Sequence, residues 1–381
     1  MKNCIYKVLF VLLVASQCIN AYATDLEKMR YYNSLDFTLI NKGFEDSATP
    51  FTRLPKQLSD PLRDGLRYVV ENSAGIAVRF ATNSTAIGVK YELTNNFHMN
   101  HMADTGTKGT DLYTRHDDGT WHFVATSIPG KGPENNKKYV DNLDGKMHEY
   151  TIYLPLYDGI KWLEIGVDST AVITKPQVNS PRRDKKVVMY GTSITQGGCA
   201  SRTGMVASSI LQRDLDIECI NLGFSGQGRM DYCVAEAMAK IPDVAAYIID
   251  PVSNCKTVMI DTLTVNFINI LRKGNPNAAI FLVEGQSYAH EPYDTQQQIK
   301  MPESNKMLHT KFLELRAQDP KNIYYIDRKD LIGPDGEGTV DGAHLTDYGF
   351  VLQAKKFKPY IEAILNGTEV PFQKEMLELY K

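Results

Sequence analysis

The sequence has no large excess of charge of either sign, and this absence excludes several kinds of partner. Lys and Arg total 42 against 45 Asp and Glu, which leaves a formal net charge of −3 at pH 7. Binding to nucleic acid through its phosphates needs a basic surface, and an acidic interaction tail needs a run of like charge. The sequence has neither. We therefore expect no nucleic-acid partner.

Long apolar runs are also missing, and the longest stretch near the start is too short for a membrane span. Lys2 and Lys7 accompany an apolar stretch at residues 8–15, and Ala21-Tyr22-Ala23 resembles a cleavage site. A bilayer span needs ~20 apolar residues, so this order of features predicts a signal peptide over residues 1–23. We expect an exported protein (periplasmic, cell-surface or secreted) with no membrane span.

Cysteine is scarce, with six in the chain, two of them inside the predicted signal peptide. The other four match no zinc-ligand spacing; they are Cys199, Cys219, Cys233 and Cys255. In an oxidising compartment they allow three disulfide pairings. A chain of this length does not need such cross-links, so the sequence slightly favours four buried thiols over disulfides.

Sustained helical periodicity is absent from the first half, between about Asp36 and Asp168. Short segments rich in β-branched and aromatic residues alternate there with turn formers. This pattern predicts an antiparallel β-sandwich over residues 24–175. The predicted strands include residues 68–70, 76–80, 86–92, 121–127, 148–154 and 162–167. A polar segment with two prolines, residues 176–185, is the predicted linker.

From residue 186 onward, apolar runs of strand length alternate with helical patterns. The runs are residues 186–190, 217–222, 244–249, 279–283 and 323–326. This alternation predicts a parallel sheet with helices on both faces, a three-layer α/β/α domain over residues 186–381. In such sheets functional residues gather at the carboxyl ends of the strands.

Three of these strands end in residues that suit acyl chemistry. The first runs into Gly191-Thr192-Ser193, which places Ser193 in a glycine-rich turn before a helix. The glycine-rich turn at residues 221–228 can aim a backbone N–H at an oxyanion, and the side chain of Asn254 can donate to the same place. Alone, each motif is better explained by a helix cap, an ordinary turn or a surface loop.

The fourth block is Asp341-Gly342-Ala343-His344. Its spacing lets the carboxylate of Asp341 hold one imidazole nitrogen of His344 while the other nitrogen faces Ser193. Alone, this block would also suit a helix cap with a surface histidine. Asp347 is expected to cap the final helix instead. Because four successive strand ends supply a Ser, a Gly, an Asn and an Asp/His pair, the sequence predicts a serine nucleophile with its base and oxyanion donors.

These blocks resemble those of the SGNH hydrolases, also called GDSL-type esterases. The matching residues are Gly191-Thr192-Ser193, Ser225-Gly226, Asn254 and Asp341-x-x-His344. The resemblance implies a flavodoxin-like sheet. It also implies a catalytic Ser193, His344 and Asp341, and an oxyanion hole made by the N–H groups of Ser193 and Gly226 with the Asn254 amide. Thr192 stands where most members have Asp, and Asp250-Pro251-x-x-Asn254 replaces the usual Gly-x-Asn-Asp.

Residues 109–113, Gly-Thr-Asp-Leu-Tyr, are similar to the signature of a jelly-roll-like β-sandwich that precedes one SGNH branch in exported proteins. Many of these come from carbohydrate-degrading bacteria, and the Asn block of that branch is like the one here. The resemblance implies a serine esterase that needs no metal or organic cofactor. Its expected substrates are short acyl esters, O-acetyl above all, on poly- or oligosaccharides. The alternatives are a lipid or thioester acyl hydrolase, and a non-catalytic carbohydrate-binding protein with an esterase fold.

Other polar residues give weaker signals. His98 and His101 lie in a polar stretch, but no third ligand follows at a suitable spacing, so the sequence predicts no metal site. Glu284, Tyr288 and His290 follow a strand and are expected to border the pocket.

Overall fold

The computed structural model describes residue 26, residues 28–176 and residues 181–380. The predicted signal peptide lies outside the described residues, as do residues 177–180 of the predicted linker. Within the described residues the chain forms two antiparallel sheets followed by one parallel sheet. This arrangement confirms the predicted fold class.

Two antiparallel sheets pack face to face in the first half. Their strands are β1 (Met29–Asn33), β2 (Thr38–Ile40), β3 (Ala77–Thr82), β4 (Ile87–Leu93), β5 (Thr110–Arg115), β6 (Trp121–Ser127), β7 (Glu134–Val140), β8 (His148–Tyr153), β9 (Ile160–Asp168) and β10 (Ile173–Thr174). One sheet has the order β1-β9-β4-β7, and the other β10-β3-β8-β5-β6 with β2 beside β3. In β4 the inward side chains Ile87, Val89 and Tyr91 are buried, as period-two alternation requires.

One predicted strand of the sandwich is wrong. Residues 68–70 belong to helix α1 (Asp64–Val70), and a second short helix, α2, spans Asp104–Thr107. In α1 the buried residues Leu66, Val69 and Val70 recur at helical spacing and form one apolar face. The pair of β-branched valines suggested a strand, but packing of that face decides the structure.

The second half is a five-stranded parallel sheet with the order β12-β11-β13-β14-β15, the flavodoxin-like arrangement. Its strands are β11 (Lys186–Gly191), β12 (Glu218–Gly223), β13 (Val244–Asp250), β14 (Ala279–Val283) and β15 (Ile323–Ile326). Its helices are α3 (Ser193–Gln196), α4 (Ala207–Leu215), α5 (Tyr232–Met238), α6 (Thr257–Gly274), α7 (Gln297–Gln318), α8 (Asp347–Asn366) and α9 (Gln373–Glu378). None of the helices in the described part of the chain has the length and apolarity to cross a bilayer.

Strand β11 shows how the three layers are built. Val187 and Met189 pack into an apolar cluster with residues of α4 and α8. Val188 and Tyr190 point to the opposite face and pack with residues of α5, α6 and α7. Both faces are dry, so the strand is an apolar run that does not alternate with polar residues.

All four cysteines of the α/β half are buried and free. The buried-thiol reading of the sequence therefore describes the structure, and none of the possible disulfides is formed among them. Burial raises the pKa of the Cys199 thiol, near the end of β11, to about 12, with a further contribution from the Asp341 carboxylate.

Candidate active site

Ser193 stands where strand β11 gives way to helix α3. The side chain of Thr192 caps this helix by accepting a hydrogen bond from the N–H of Ile194, at 3.3 Å. The helix ends after one turn at Gly197, whose φ of 122° lies in the left-handed region that favours glycine. The turn therefore presents Ser193 at the carboxyl edge of the sheet, where its exposed fraction is 8%.

A continuous hydrogen-bonded chain joins three of the predicted residues. Ser193 Oγ lies 2.9 Å from His344 Nε2, and His344 Nδ1 lies 2.8 Å from Asp341 Oδ2. The other carboxylate oxygen of Asp341 accepts hydrogen bonds from the N–H groups of Ala343, at 3.0 Å, and His344, at 2.8 Å. The structure therefore brings together a hydroxyl, an imidazole and a carboxylate in the order that acyl transfer requires.

The charge state of Asp341 fixes the tautomer of His344. Desolvation raises the pKa of Asp341, but the hydrogen bonds from His344 and Ala343 outweigh it and bring the pKa down to about 2. An ionised carboxylate can only accept hydrogen bonds, so the imidazole proton resides on Nδ1. Nε2 then carries the lone pair that can accept the proton of Ser193 Oγ.

The three hydrogen-bond donors of the predicted oxyanion hole are open. The N–H groups of Ser193 and Gly226 and Nδ2 of Asn254 have no partner among the described residues. The Asn254 amide is fixed from its other end, because Oδ1 accepts from the N–H of Gly228 at 3.2 Å. Gly226 has a φ of 67° and open space at its Cα. These donors suit an oxyanion that develops near Ser193.

Gln196 ties two of these loops to the sandwich. Its Nε2 donates to Asn72 Oδ1 and to the carbonyl of Leu156, both at 2.9 Å. Its Oε1 accepts from the N–H of Ser225 at 2.8 Å. Because Gln196 is fully buried, the turn that holds Ser193 and the turn that holds Gly226 are positioned by the same side chain. Sequence reasoning missed Gln196, since a lone glutamine after a serine carries no chemical signature.

A buried arginine of the first half supports the same region. The guanidinium of Arg53 donates to the carbonyls of Val69, Asn72 and Gly223. Gly223 ends strand β12, immediately before the Gly226 turn. Burial lowers the pKa of Arg53 to about 9, below its usual value. A buried cation held by three carbonyls is a brace between the two halves, and no sequence pattern around Arg53 predicted it.

The Gly-x-Asp-Leu-Tyr segment makes the third brace. The carboxylate of Asp111 accepts from Arg202 Nη1 at 2.9 Å and from the N–H of Gly204 at 2.8 Å. Arg202 also contacts Tyr113 of the same segment. Arg202 follows the Ser193 turn, so the segment fixes the loop behind Ser193 while Asp111 itself is fully buried. These contacts give Asp111 and Tyr113 a structural role.

One sandwich loop does reach the site. Asp158 holds this loop by accepting from the N–H groups of Asn95, at 2.9 Å, and Phe97, at 2.7 Å. Farther along the loop, the ring centroid of His101 lies 5.7 Å from that of His344, at an interplanar angle of 65°. The first half of the chain therefore places one imidazole at the rim.

Asp250 ends strand β13 and pairs in register with Gly191, next to the Ser193 turn. Its carboxyl is buried, and this desolvation raises its pKa to about 7. The carboxyl is therefore protonated over much of the acidic range.

A cavity of about 680 Å³ lies beside the His344 loop; Glu284 and Tyr288 line it, whereas His290, Ser193 and His344 do not. Its wall is joined to that loop by a 2.8 Å hydrogen bond from the N–H of Ala289 to the carbonyl of Gly342. Glu284 is fixed in place, because it accepts hydrogen bonds from Tyr325 and Tyr380. His290 stacks on Tyr288, with ring centroids 5.4 Å apart.

Comparisons with known proteins show which families the two halves resemble. The model of the GDSL-like lipase/acylhydrolase family matches residues 184–362. A second model, the GxDLY N-terminus of SGNH-hydrolase-type esterases, matches residues 29–173. No curated protein matches the chain.

Solved structures resemble the chain over nearly its whole length. A protein from Bacteroides ovatus ATCC 8483 described as a GDSL-like lipase has 35% sequence identity and a TM-score of 0.83, with 89% of this chain and 98% of that chain covered. The salicylyl-acyltransferase SsfX3 of a tetracycline biosynthetic pathway has 16% identity and a TM-score of 0.70 (90% and 99% covered). A family two carbohydrate esterase from Cellvibrio japonicus has 12% identity and a TM-score of 0.54 (89% and 98% covered). The last two show the shared fold.

Proposed function

The chain belongs to the GDSL-like lipase/acylhydrolase family, and we propose that it is an exported serine esterase that removes short acyl groups, O-acetyl above all, from poly- or oligosaccharides. Family membership supports an ester-hydrolysing enzyme. The observation that carries the proposal further is the hydrogen-bonded chain from Ser193 Oγ through His344 to Asp341, with distances of 2.9 and 2.8 Å.

The first half of the reaction forms an acyl-enzyme. Ser193 Oγ attacks the ester carbonyl while His344 Nε2 accepts its proton. Asp341 stays ionised, keeps the imidazole oriented and stabilises the imidazolium. His344 then gives the proton to the departing alcohol, which on a carbohydrate is a sugar hydroxyl.

The oxyanion of each tetrahedral intermediate accepts hydrogen bonds from the N–H groups of Ser193 and Gly226 and from Asn254 Nδ2. Donors held in place before the reaction stabilise this charge without reorganising, and losing one typically costs ~10²–10³ in kcat. In the second half-reaction, water takes the place of the alcohol and His344 is again the base. These steps use groups of the chain alone.

The proposed carbohydrate substrate and the proposed export are supported by different observations. The appended sandwich and the carbohydrate esterases among the structures with this fold favour a sugar ester. Export rests on the order of charge, apolar stretch and small residues in residues 1–23. A mature N-terminus at Thr24 in secreted or periplasmic material would support export, and an intact N-terminus on all protein in the cell would oppose it.

The esterase proposal is tested with p-nitrophenyl acetate, with Ser193→Ala as the matched, folded control. We expect hydrolysis that is reduced to background in the variant. Equal rates in both proteins would contradict the proposal. The substrate is then tested by release of acetate from acetylated xylan, mannan and pectin. If none of these yields acetate while long-chain lipid esters are cleaved, the carbohydrate assignment is wrong.

A further inference from the structure

Three side chains that bind transition metals meet beside the site, although they are far apart in the sequence. His101 comes from the sandwich loop, Cys199 follows the Ser193 turn, and His344 lies in the last block. One ligand atom from each can be chosen so that all three atoms lie within 4.8 Å of one another. The sequence showed no third ligand for His101 because the two others are brought to it by the packing of the two halves.

We propose that His101, Cys199 and His344 form a site for Zn²⁺, and that a bound ion inhibits the enzyme reversibly. Imidazole and thiolate are ligands that Zn²⁺ prefers, and three of them leave one tetrahedral position for water. Metal binding stands on this geometry alone, whereas the inhibition rests on the proposed esterase function.

The geometry needs only a small contraction. With Zn–N bonds of about 2.0–2.1 Å and a Zn–S bond of about 2.3 Å, the ligand atoms of a tetrahedral site lie roughly 3.3–3.6 Å apart. The ligand atoms must therefore approach one another by at most about 1.5 Å. His101 is half-buried in a loop, so packing constrains its side chain less than it would that of a fully buried residue.

His101 makes a hydrogen bond of the kind that metal-binding histidines make. Its Nδ1 lies 3.0 Å from Asn100 Oδ1, an acceptor that selects the tautomer with the proton on Nδ1. Nε2 then carries a free lone pair. A carbonyl oxygen that holds the second nitrogen is the usual partner of a metal-binding histidine.

Cys199 loses its proton when the ion binds. Burial, together with the nearby Asp341 carboxylate, keeps the free thiol protonated. Binding breaks the Sγ–H bond, forms the Sγ–Zn bond and releases the proton to the buffer, with no change in oxidation state. The negative charge of Asp341 offsets part of the charge of the ion.

Inhibition follows from the position of His344. Its Nε2 is hydrogen-bonded to Ser193 and its Nδ1 to Asp341. An ion on either nitrogen must displace one of these two partners. The bound form therefore lacks either the base for Ser193 or the group that orients it.

Metal binding is measured first, without reference to activity. The full mature protein is treated with chelator, dialysed and titrated with Co²⁺, which gives a near-ultraviolet thiolate-to-metal absorption band; Zn²⁺ is then added as competitor. We expect one Co²⁺ per chain, the thiolate band and displacement by Zn²⁺. Cys199→Ala should abolish the band, and His101→Ala should weaken binding at least tenfold. His98→Ala is the matched control, since His98 lies in the same stretch but bonds to Asp104, and its binding should equal that of the wild type.

Esterase activity is measured next on the same proteins. We expect Zn²⁺ to inhibit the wild type and His98→Ala, with recovery after addition of chelator. Relative to its own activity without metal, each of His101→Ala and Cys199→Ala should need at least tenfold more Zn²⁺ for the same fractional inhibition. The proposal is overturned if the wild type gives no thiolate band, or if both variants bind Co²⁺ as the wild type does. A wild type that binds Co²⁺ through the thiolate but hydrolyses no ester would uphold the site and contradict the esterase function.

Discussion

The two halves of the chain use buried polar side chains in different ways. In the α/β half, the polar groups at the strand ends face one another and keep donors open, as Ser193 and Gly226 do. In the sandwich, Arg53 and Asp111 direct their charges at loops of the α/β half. The difference indicates that the α/β half holds the reacting groups, whereas the sandwich helps to position them. Substitutions in the α/β site should therefore lower kcat, and those in the braces should lower stability.

The largest expected effect is on the reacting side of this comparison. His344→Ala should lower kcat for p-nitrophenyl acetate by about 10⁴–10⁶, because the general base is lost. The urea unfolding curve should change little. His290→Ala is the matched control, a nearby histidine that stacks on Tyr288, and its kcat should stay within tenfold of the wild type. If His344→Ala keeps more than a tenth of the wild-type kcat, His344 is not the general base and the contrast between the two halves fails.

The next prediction distinguishes the role of the Asn254 amide nitrogen from that of its oxygen. Asn254→Asp keeps the oxygen that accepts from Gly228 but replaces the donor Nδ2 with a second oxygen. We expect kcat to fall by about 10²–10³, as for loss of one oxyanion donor, and Asn254→Ala to fall similarly. Steady-state kinetics with p-nitrophenyl acetate measure both. Wild-type kcat in Asn254→Asp would mean that the amide only holds the loop.

Among the residues that brace the site, Asp111 is expected to stabilise the fold, so Asp111→Asn should lower stability. Removing one charge of the buried pair with Arg202 should lower the free energy of unfolding by about 3 kcal/mol, measured by urea titration. kcat/KM of the folded protein should stay within about threefold of the wild type. Asp117→Asn, at an exposed sandwich turn, should change neither quantity. A large loss of kcat at unchanged stability would place Asp111 among the reacting groups.

The effect that is smallest per unit of change concerns Asp250, within the site itself. Asp250 has a folded pKa of about 7 against a usual 3.8, so the fold keeps a proton that the unfolded chain releases between these values. Its stabilising contribution is complete below about pH 4 and is lost as the pH rises toward 7, by up to about 1.4 kcal/mol per pH unit. Relative to Asp250→Asn, the wild type should therefore lose stability from pH 4 to 7. If the free energies of unfolding of the two proteins change with pH in the same way over this range, burial does not raise the pKa of Asp250.

Periodicity and motif order allowed much of this structure to be predicted. The apolar run before Ser193 predicted strand β11, and the order of the blocks predicted which side chains meet at the sheet edge. The strand at residues 68–70 was wrong because the packing of one helix face overrode the preference of two valines for strands. The capping prediction for Asp347 was also wrong: Thr346 caps helix α8, while Asp347 accepts hydrogen bonds from Ser201.

Two of the three braces could not be predicted, and the reason is physical. Arg53 and Gln196 act through carbonyls and amides that only the packed halves bring within reach. His101 meets Cys199 and His344 for the same reason. A sequence shows periodicity and local spacing, whereas contacts between two domains depend on how their surfaces fit.

The most direct test of the central claim is to trap the acyl-enzyme. The wild type is mixed with p-nitrophenyl acetate and quenched in acid within the first turnovers, and its peptides are analysed by mass spectrometry. The account predicts an acetyl group on the peptide that contains Ser193, and neither adduct nor hydrolysis above background in Ser193→Ala. An acetyl group on another residue, or wild-type hydrolysis by Ser193→Ala, would contradict it.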